Sequence, residues 1–150
     1  QSARYVHDRV GIGGRMDTIQ CAILLAKLEV FNWELEQRAL IGSEYNNIFD
    51  EYKIHREKQK PDRTSVFGQY TVFVRDRDRV RAALESFGVP TAVHYPQPIS
   101  YQPAYAHLCH KSSIPVALEK SKTSLSLPID LYATLEERTK ILEIFRSVFA

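Results

Sequence analysis

A chain of 150 residues with 44% hydrophobic and 25% charged residues can bury a core of its own, and this composition excludes a disordered or fibrous class. Lysine plus arginine total 20 and aspartate plus glutamate 18, a net charge of +2 with both signs interspersed, so nothing marks a nucleic-acid or membrane partner. Cys21 and Cys109 lack C-x-x-C spacing, which argues against zinc or a disulfide framework and for a reducing, cytoplasmic compartment.

The opening QSARYVHDRV has no signal-peptide core, and no later run approaches the roughly 20 apolar residues of a membrane span. GIGGRMDTIQ, residues 11 to 20, then runs from glycine turns through Arg15 into a helix start. Asp17 and Gln20 have the spacing of a capping box, which predicts a helix from about Thr18. Ile19, Ala22, Ile23 and Ala26 form one stripe of that helix, and Leu24, Leu25 and Leu28 widen it beyond an ordinary surface helix. A long second helix, parted from the first near Asn32, carries Phe31, Leu35, Ile41, Tyr45 and Ile48, with Glu34 and Arg38 paired at i, i+4 on its wet side.

HREKQKPDR, residues 55 to 63, reads as a solvated loop, and SVFGQYTVFV, 65 to 74, as a strand. DRDRVRAALESFG predicts a helix capped by Asp76, with Val80, Ala83, Leu84 and Phe87 on the buried face and a stop at Gly88. A second strand follows in VPTAVHY, completing a β-α-β segment, and Pro96, Pro98 and Pro103 make the next stretch an irregular loop. A short helix at Val116 to Lys122 and a strand in SLSLP come next. The terminal helix is capped by Thr134 and Glu137 and buries Ile141, Phe145 and Val148.

These elements predict an α/β (α+β) fold, a small three-stranded sheet with covering helices preceded by long packing helices. The expected division is 1–53, a loop and helices for inter-domain or dimer packing, and 54–150, a small α/β domain. The apolar surface of the first two helices is too broad for such a sheet, so another domain or a second chain is expected to cover it.

GIGGR fails the dinucleotide fingerprint because Met16 stands where glycine is required, and no G-K-[ST] makes it a P-loop. Its backbone N–H groups and Arg15 suit an anion, or the stretch simply turns the chain. His94 and Tyr95 put an imidazole and a phenol at a strand end, as ligand contacts or as structural side chains. His107, Cys109 and His110 in HLCH match no zinc spacing, and no metal is expected. No G-x-S-x-G supports a serine hydrolase.

GIGGRMDTIQCAILLAKL, SVFGQYTVFV and GVPTAVHYPQPISYQPAY, in this order, resemble the C-terminal part of the DegT/DnrJ/EryC1/StrS sugar aminotransferases, from about Val10 to the end. QYTV followed by TAVHYPQP is most similar to the branch that forms 3-amino sugars of the 2-acetamido-3-amino-glucuronate type for surface polysaccharides. The resemblance implies the small domain of a fold-type I enzyme that uses pyridoxal phosphate, acts on a nucleotide sugar and forms a homodimer.

It also assigns residues. Gly13 stands where the family has an asparagine that reaches the cofactor phosphate of the other subunit, leaving only backbone N–H groups for that contact. Arg15 matches an arginine that holds an acidic part of the substrate, and His94 and Tyr95 match a motif beside the sugar nucleotide. The Schiff-base lysine belongs to the family's large N-terminal domain, and no lysine here matches it; Lys27 falls in a packing helix. Transamination needs that lysine to hold the cofactor and to move the proton, so the resemblance implies that this chain alone binds no cofactor and is inactive. The alternative is a stand-alone oligomerising or interaction domain built on the helices at 18 to 50.

Overall fold

In the computed structural model, which describes residues 3–108 and 114–150, helix α1 (Thr18–Leu28) begins where its capping box places it. Asp17 Oδ1 accepts the Gln20 N–H at 2.8 Å and Gln20 Oε1 accepts the Asp17 N–H at 3.3 Å, so two donors at the helix start are satisfied locally. The helices part at Glu29 and Val30, just ahead of Asn32, and α2 runs over Phe31–Glu51. No residue of α1 is buried; Ile19 is 74% exposed and Leu25 67%. The far half of α2 is different, because Ile41, Tyr45, Ile48 and Phe49 sink into the core. The expected Glu34–Arg38 pair is not formed. Arg38 Nη1 donates to the Phe67 carbonyl at 3.2 Å and Glu34 accepts from the Tyr132 hydroxyl at 3.2 Å, since both tertiary partners lie within reach.

The sheet has three antiparallel strands in the order β1 (His55–Arg56), β2 (Tyr70–Phe73) and β3 (Ser124–Leu127). Register runs from Tyr70 opposite Leu127 to Phe73 opposite Ser124, with His55 opposite Phe73. Because side chains alternate along a strand, Tyr70, Val72, Leu125 and Leu127 share the core face, and Thr71, Phe73, Ser124 and Ser126 share the other. Helices α2, α3 (Arg77–Ser86) and α5 (Leu135–Phe149) close the core face. There Tyr45, Phe49, Tyr70 and Phe145 pack ring against ring at 5.1 to 6.4 Å. Each such ring stabilises the fold by roughly 1.5–3 kcal/mol through burial. Helix α4 (Pro115–Thr123) leads directly into β3 and packs by β2.

Several sequence expectations are corrected. Only Tyr70–Phe73 of the 65–74 stretch is strand, because the turn at Phe67, with φ of 43°, sends its ring into α2 instead. The loop expected at 55–63 contains β1. VPTAVHY is not a regular strand: Pro90 carries no N–H for a ladder, and only Ala92 pairs, exchanging bonds of 3.0 and 2.8 Å with Ser126. The β-α-β segment is therefore reduced to a strand, a helix and a single bridge. Asp76 sits at the α3 start but caps nothing through its side chain, which accepts from Arg79 Nε at 3.2 Å. Phe87 is exposed, since α3 ends before it and Gly88, at φ of 77°, turns the chain away. The Thr134–Glu137 capping box of α5 is present as expected. His107 is exposed; Cys109 and His110 lie outside the described residues. Among the described residues no helix is long and apolar enough to cross a membrane, and no cluster of metal-ligating side chains occurs.

Candidate functional site

The bridge between Ala92 and Ser126 lays the 90–95 segment beside β3 and delivers His94 to the polar face of the sheet. His94 Nδ1 lies 3.1 Å from Ser126 Oγ, which in turn lies 3.1 Å from Thr71 Oγ1. This relay of hydroxyls fixes the imidazole through one nitrogen and leaves Nε2 for a ligand. The Tyr95 ring stands edge-on to His94 at 5.6 Å, across a cis peptide, and is itself exposed.

A second support comes from the N-terminal segment. Buried Gln102 accepts the His7 N–H at 3.0 Å and donates to the Tyr5 carbonyl at 3.0 Å, so one side-chain amide holds the 5–7 backbone. That seats the Tyr5 ring edge-on against Tyr95 at 6.0 Å. His94 borders two hollows. One of about 440 Å³ lies over the polar sheet face with Thr71, Phe73, Lys120 and Ser124. The other, about 340 Å³, has Arg38, Thr91 and Ser126 in its wall.

Gly13 and Arg15 are placed elsewhere, on the exposed approach to α1. Nothing lies within 4 Å of where a Gly13 side chain would begin, and Arg15 makes no hydrogen bond or ion pair among the described residues. The structure thus brings His94 and Tyr95 together and leaves Gly13 and Arg15 free of them.

The sequence matches the DegT/DnrJ/EryC1/StrS aminotransferase family over residues 1–146. The chain belongs to this family. It is 42% identical over 132 residues to the UDP-2-acetamido-2-deoxy-3-oxo-D-glucuronate aminotransferase of Pseudomonas aeruginosa, which covers 88% of this chain and 36% of that protein. Its fold matches a family aminotransferase from Brucella abortus with a TM-score of 0.82 at 30% identity, over 100% of this chain and 40% of the other. It also matches DesV of S. venezuelae, solved in complex with a ketimine intermediate, with a TM-score of 0.83 at 27% identity, over 99% and 41%. The chain therefore spans about two fifths of the length of these relatives.

Family members use pyridoxal phosphate, so the fit of these residues to that group can be tested. A Schiff-base pocket needs a lysine with a carboxylate for the pyridine nitrogen. Lysine and acid meet in three hollows, Lys120 with Glu57, Lys58 and Lys60 with Glu57 in one of about 310 Å³, and Lys140 with Glu136 and Glu143, but each of these acids is exposed rather than enclosed. The exposed glycines at 11 to 14 form no phosphate cradle within this chain. The residues present do not by themselves form a site for the cofactor.

Sequence reasoning missed Lys120, Ser124 and Gln102. The alternation S-L-S-L, set beside Y-T-V-F, was the available signal for a hydroxyl-lined face; nothing local announces that Gln102 clamps a segment 95 residues away.

Proposed function

We propose that this chain supplies the substrate-facing small domain of a cytoplasmic, pyridoxal-phosphate-dependent aminotransferase that aminates the keto-sugar of a nucleotide sugar and works as a homodimer. The observation that carries the reading is the 42% identity to a 3-oxo-glucuronate aminotransferase, which extends across Tyr95 and across His94, the residue that borders two hollows. In this reading the large domain of the same enzyme and a second copy cover the apolar face of α1. Arg15 is the guanidinium fork that meets an acid on the substrate, and the Gly13 backbone faces the cofactor phosphate of the other subunit. His94, fixed through Nδ1, offers Nε2 to the sugar, and the Tyr95 hydroxyl contributes a second hydrogen bond.

The test is a chimera in which this chain replaces the matching 132 residues of the Pseudomonas aeruginosa enzyme, assayed for amination of UDP-2-acetamido-2-deoxy-3-oxo-D-glucuronate with glutamate as donor. Activity is expected. Arg15→Ala in the chimera is expected to cost roughly tenfold or more in kcat/KM with its melting temperature unchanged, since a charge-assisted bond is worth about 1.5–3 kcal/mol. A folded, cofactor-loaded chimera that does not aminate the sugar refutes the proposal.

A further inference from the structure

The geometry points to an oxyanion-binding subsite on the polar face of the sheet, between β2, β3, α4 and the 94–99 loop, in which Lys120 supplies the charge and Ser124 forms the floor. Its ligand class is a sugar bearing a carboxylate or phosphate. That choice of ligand rests on the function proposed above; the subsite itself rests on the arrangement of side chains.

Three observations converge on it. The first is the hydroxyl-lined face itself. Thr71 and Ser126 engage each other and His94, but the Ser124 Oγ is buried with no hydrogen-bond partner, on a residue only 4% exposed. An unpaired buried hydroxyl is uncommon in a folded protein and asks what completes it. Ser124 also lines the hollow of about 440 Å³, from which a ligand oxygen would complete that hydroxyl.

The second is the state of Lys120. Its ammonium sits 3.9 Å from the centre of the Phe73 ring and donates to His55 Nδ1 at 3.4 Å, and it forms no ion pair with an acid among the described residues. Ring and imidazole fix the charge at the hollow, and they consume only one of its three protons. Glu57 lines the same hollow without pairing to it. The third is continuity with His94 and Tyr95, which line the hollow beside the ammonium, so one ligand can meet all of them. An ammonium with no acid paired to it binds an oxyanion through charge-assisted hydrogen bonds, which are roughly twice as strong as those to a neutral hydroxyl.

The experiment is a titration of the ¹⁵N-labelled 150-residue chain with glucuronate, UDP and, as a neutral control, glucose, repeated for Lys120→Met and Ser124→Ala. Glucuronate or UDP is expected to shift amides of residues 71–73, 94–99 and 118–126, with glucose leaving them unmoved. A response to glucuronate identifies a sugar carboxylate as the source, and a response to UDP a phosphate. Lys120→Met keeps the apolar stem on Phe73 and is expected to weaken the response at least tenfold. Ser124→Ala removes the orphaned hydroxyl, so it is expected to raise the melting temperature of the free chain by roughly 2–4 °C while weakening the same response. Silence to both anions, or an unchanged titration in Lys120→Met, overturns the subsite. A lower melting temperature in Ser124→Ala overturns its role as the floor. Neither failure touches the aminotransferase reading, which is judged on amination by the chimera.

Discussion

Gly42→Ala in the middle of α2 sets two effects of known sign against each other. Glycine in a helix interior is less favourable than alanine by about 0.8–1.0 kcal/mol, so propensity alone predicts a more stable chain. The structure predicts the reverse. A side-chain carbon at position 42 would stand 2.5, 2.6 and 2.8 Å from three atoms of the Phe67 ring, which must retreat by roughly 1 Å to reach ordinary contact. It has little room to do so. The Phe67 N–H donates to Ser65 Oγ at 3.2 Å, its carbonyl accepts from Arg38 at 3.2 Å, and its ring lies against Tyr70 at 5.8 Å and 25°. Overpacking of this kind costs about 1–3 kcal/mol, so the net effect is a loss of roughly 1 kcal/mol. In a Phe67→Ala background the clash is gone and the same Gly42→Ala change should stabilise by about 1 kcal/mol. Urea denaturation of the four chains gives the coupling directly, expected near 2 kcal/mol. A Gly42→Ala chain that is more stable than wild type with Phe67 in place would refute the packing argument.

Three further outcomes are expected. The Tyr45 and Tyr70 hydroxyls donate to the Pro128 carbonyl and to Asn46 Oδ1, both at 2.8 Å, and burial pushes both phenols well above their ordinary value of 10.0. Their contribution is therefore full below about pH 10 and is lost above it as the unfolded phenols ionise; in absorbance titration, two of the eight tyrosines should ionise only with unfolding. Asp50 is held below the usual carboxylate range by the bidentate Arg56 guanidinium, at 2.6 and 3.2 Å, so its contribution is present at neutral pH and is lost as pH falls below about 4. The gap in urea midpoint between wild type and Asp50→Asn should accordingly close on acidification. Gln102→Leu removes both bonds to the 5–7 backbone, a loss of about 2 kcal/mol, and should speed hydrogen exchange at the His7 amide; an unchanged rate there counts against the clamp.

What the sequence made legible is what short-range chemistry decides. Asp17 with Gln20 and Thr134 with Glu137 satisfy helix ends within four residues, and Gly88 ends α3 because a left-handed turn suits glycine. The strands were harder, since a two-residue strand such as His55–Arg56 has no period to read and exists only because β2 lies alongside. SVFGQYTVFV looked like one long strand because nothing local shows that Phe67 has a vacant slot on α2 at Gly42. The site divides the same way. His94 and Tyr95 were visible as an adjacent titratable pair, whereas Lys120 joins them only through the antiparallel register that sets Phe73 opposite both His55 and Ser124.

Helix α1 links the fold to the proposed chemistry. Eleven residues with a good cap make a helix that is marginal in water, and most of the stability of such a helix comes from burying its apolar face. Within this chain that face stays open: Ile19, Ile23, Leu24, Leu25 and Leu28 are exposed, and the patch runs on into Val30, Phe31 and Trp33. A contiguous apolar surface of this kind marks an interface rather than a solvated helix. Arg15 stands two residues ahead of the Asp17 cap, in an exposed stretch that leads straight into the helix, so its direction follows from how α1 is seated. Whatever covers α1 therefore also aims Arg15. Under the proposed function, Arg15 on the rim of that face acquires its geometry only on assembly, which would couple acid recognition by this segment to the packing that the apolar stripe demands.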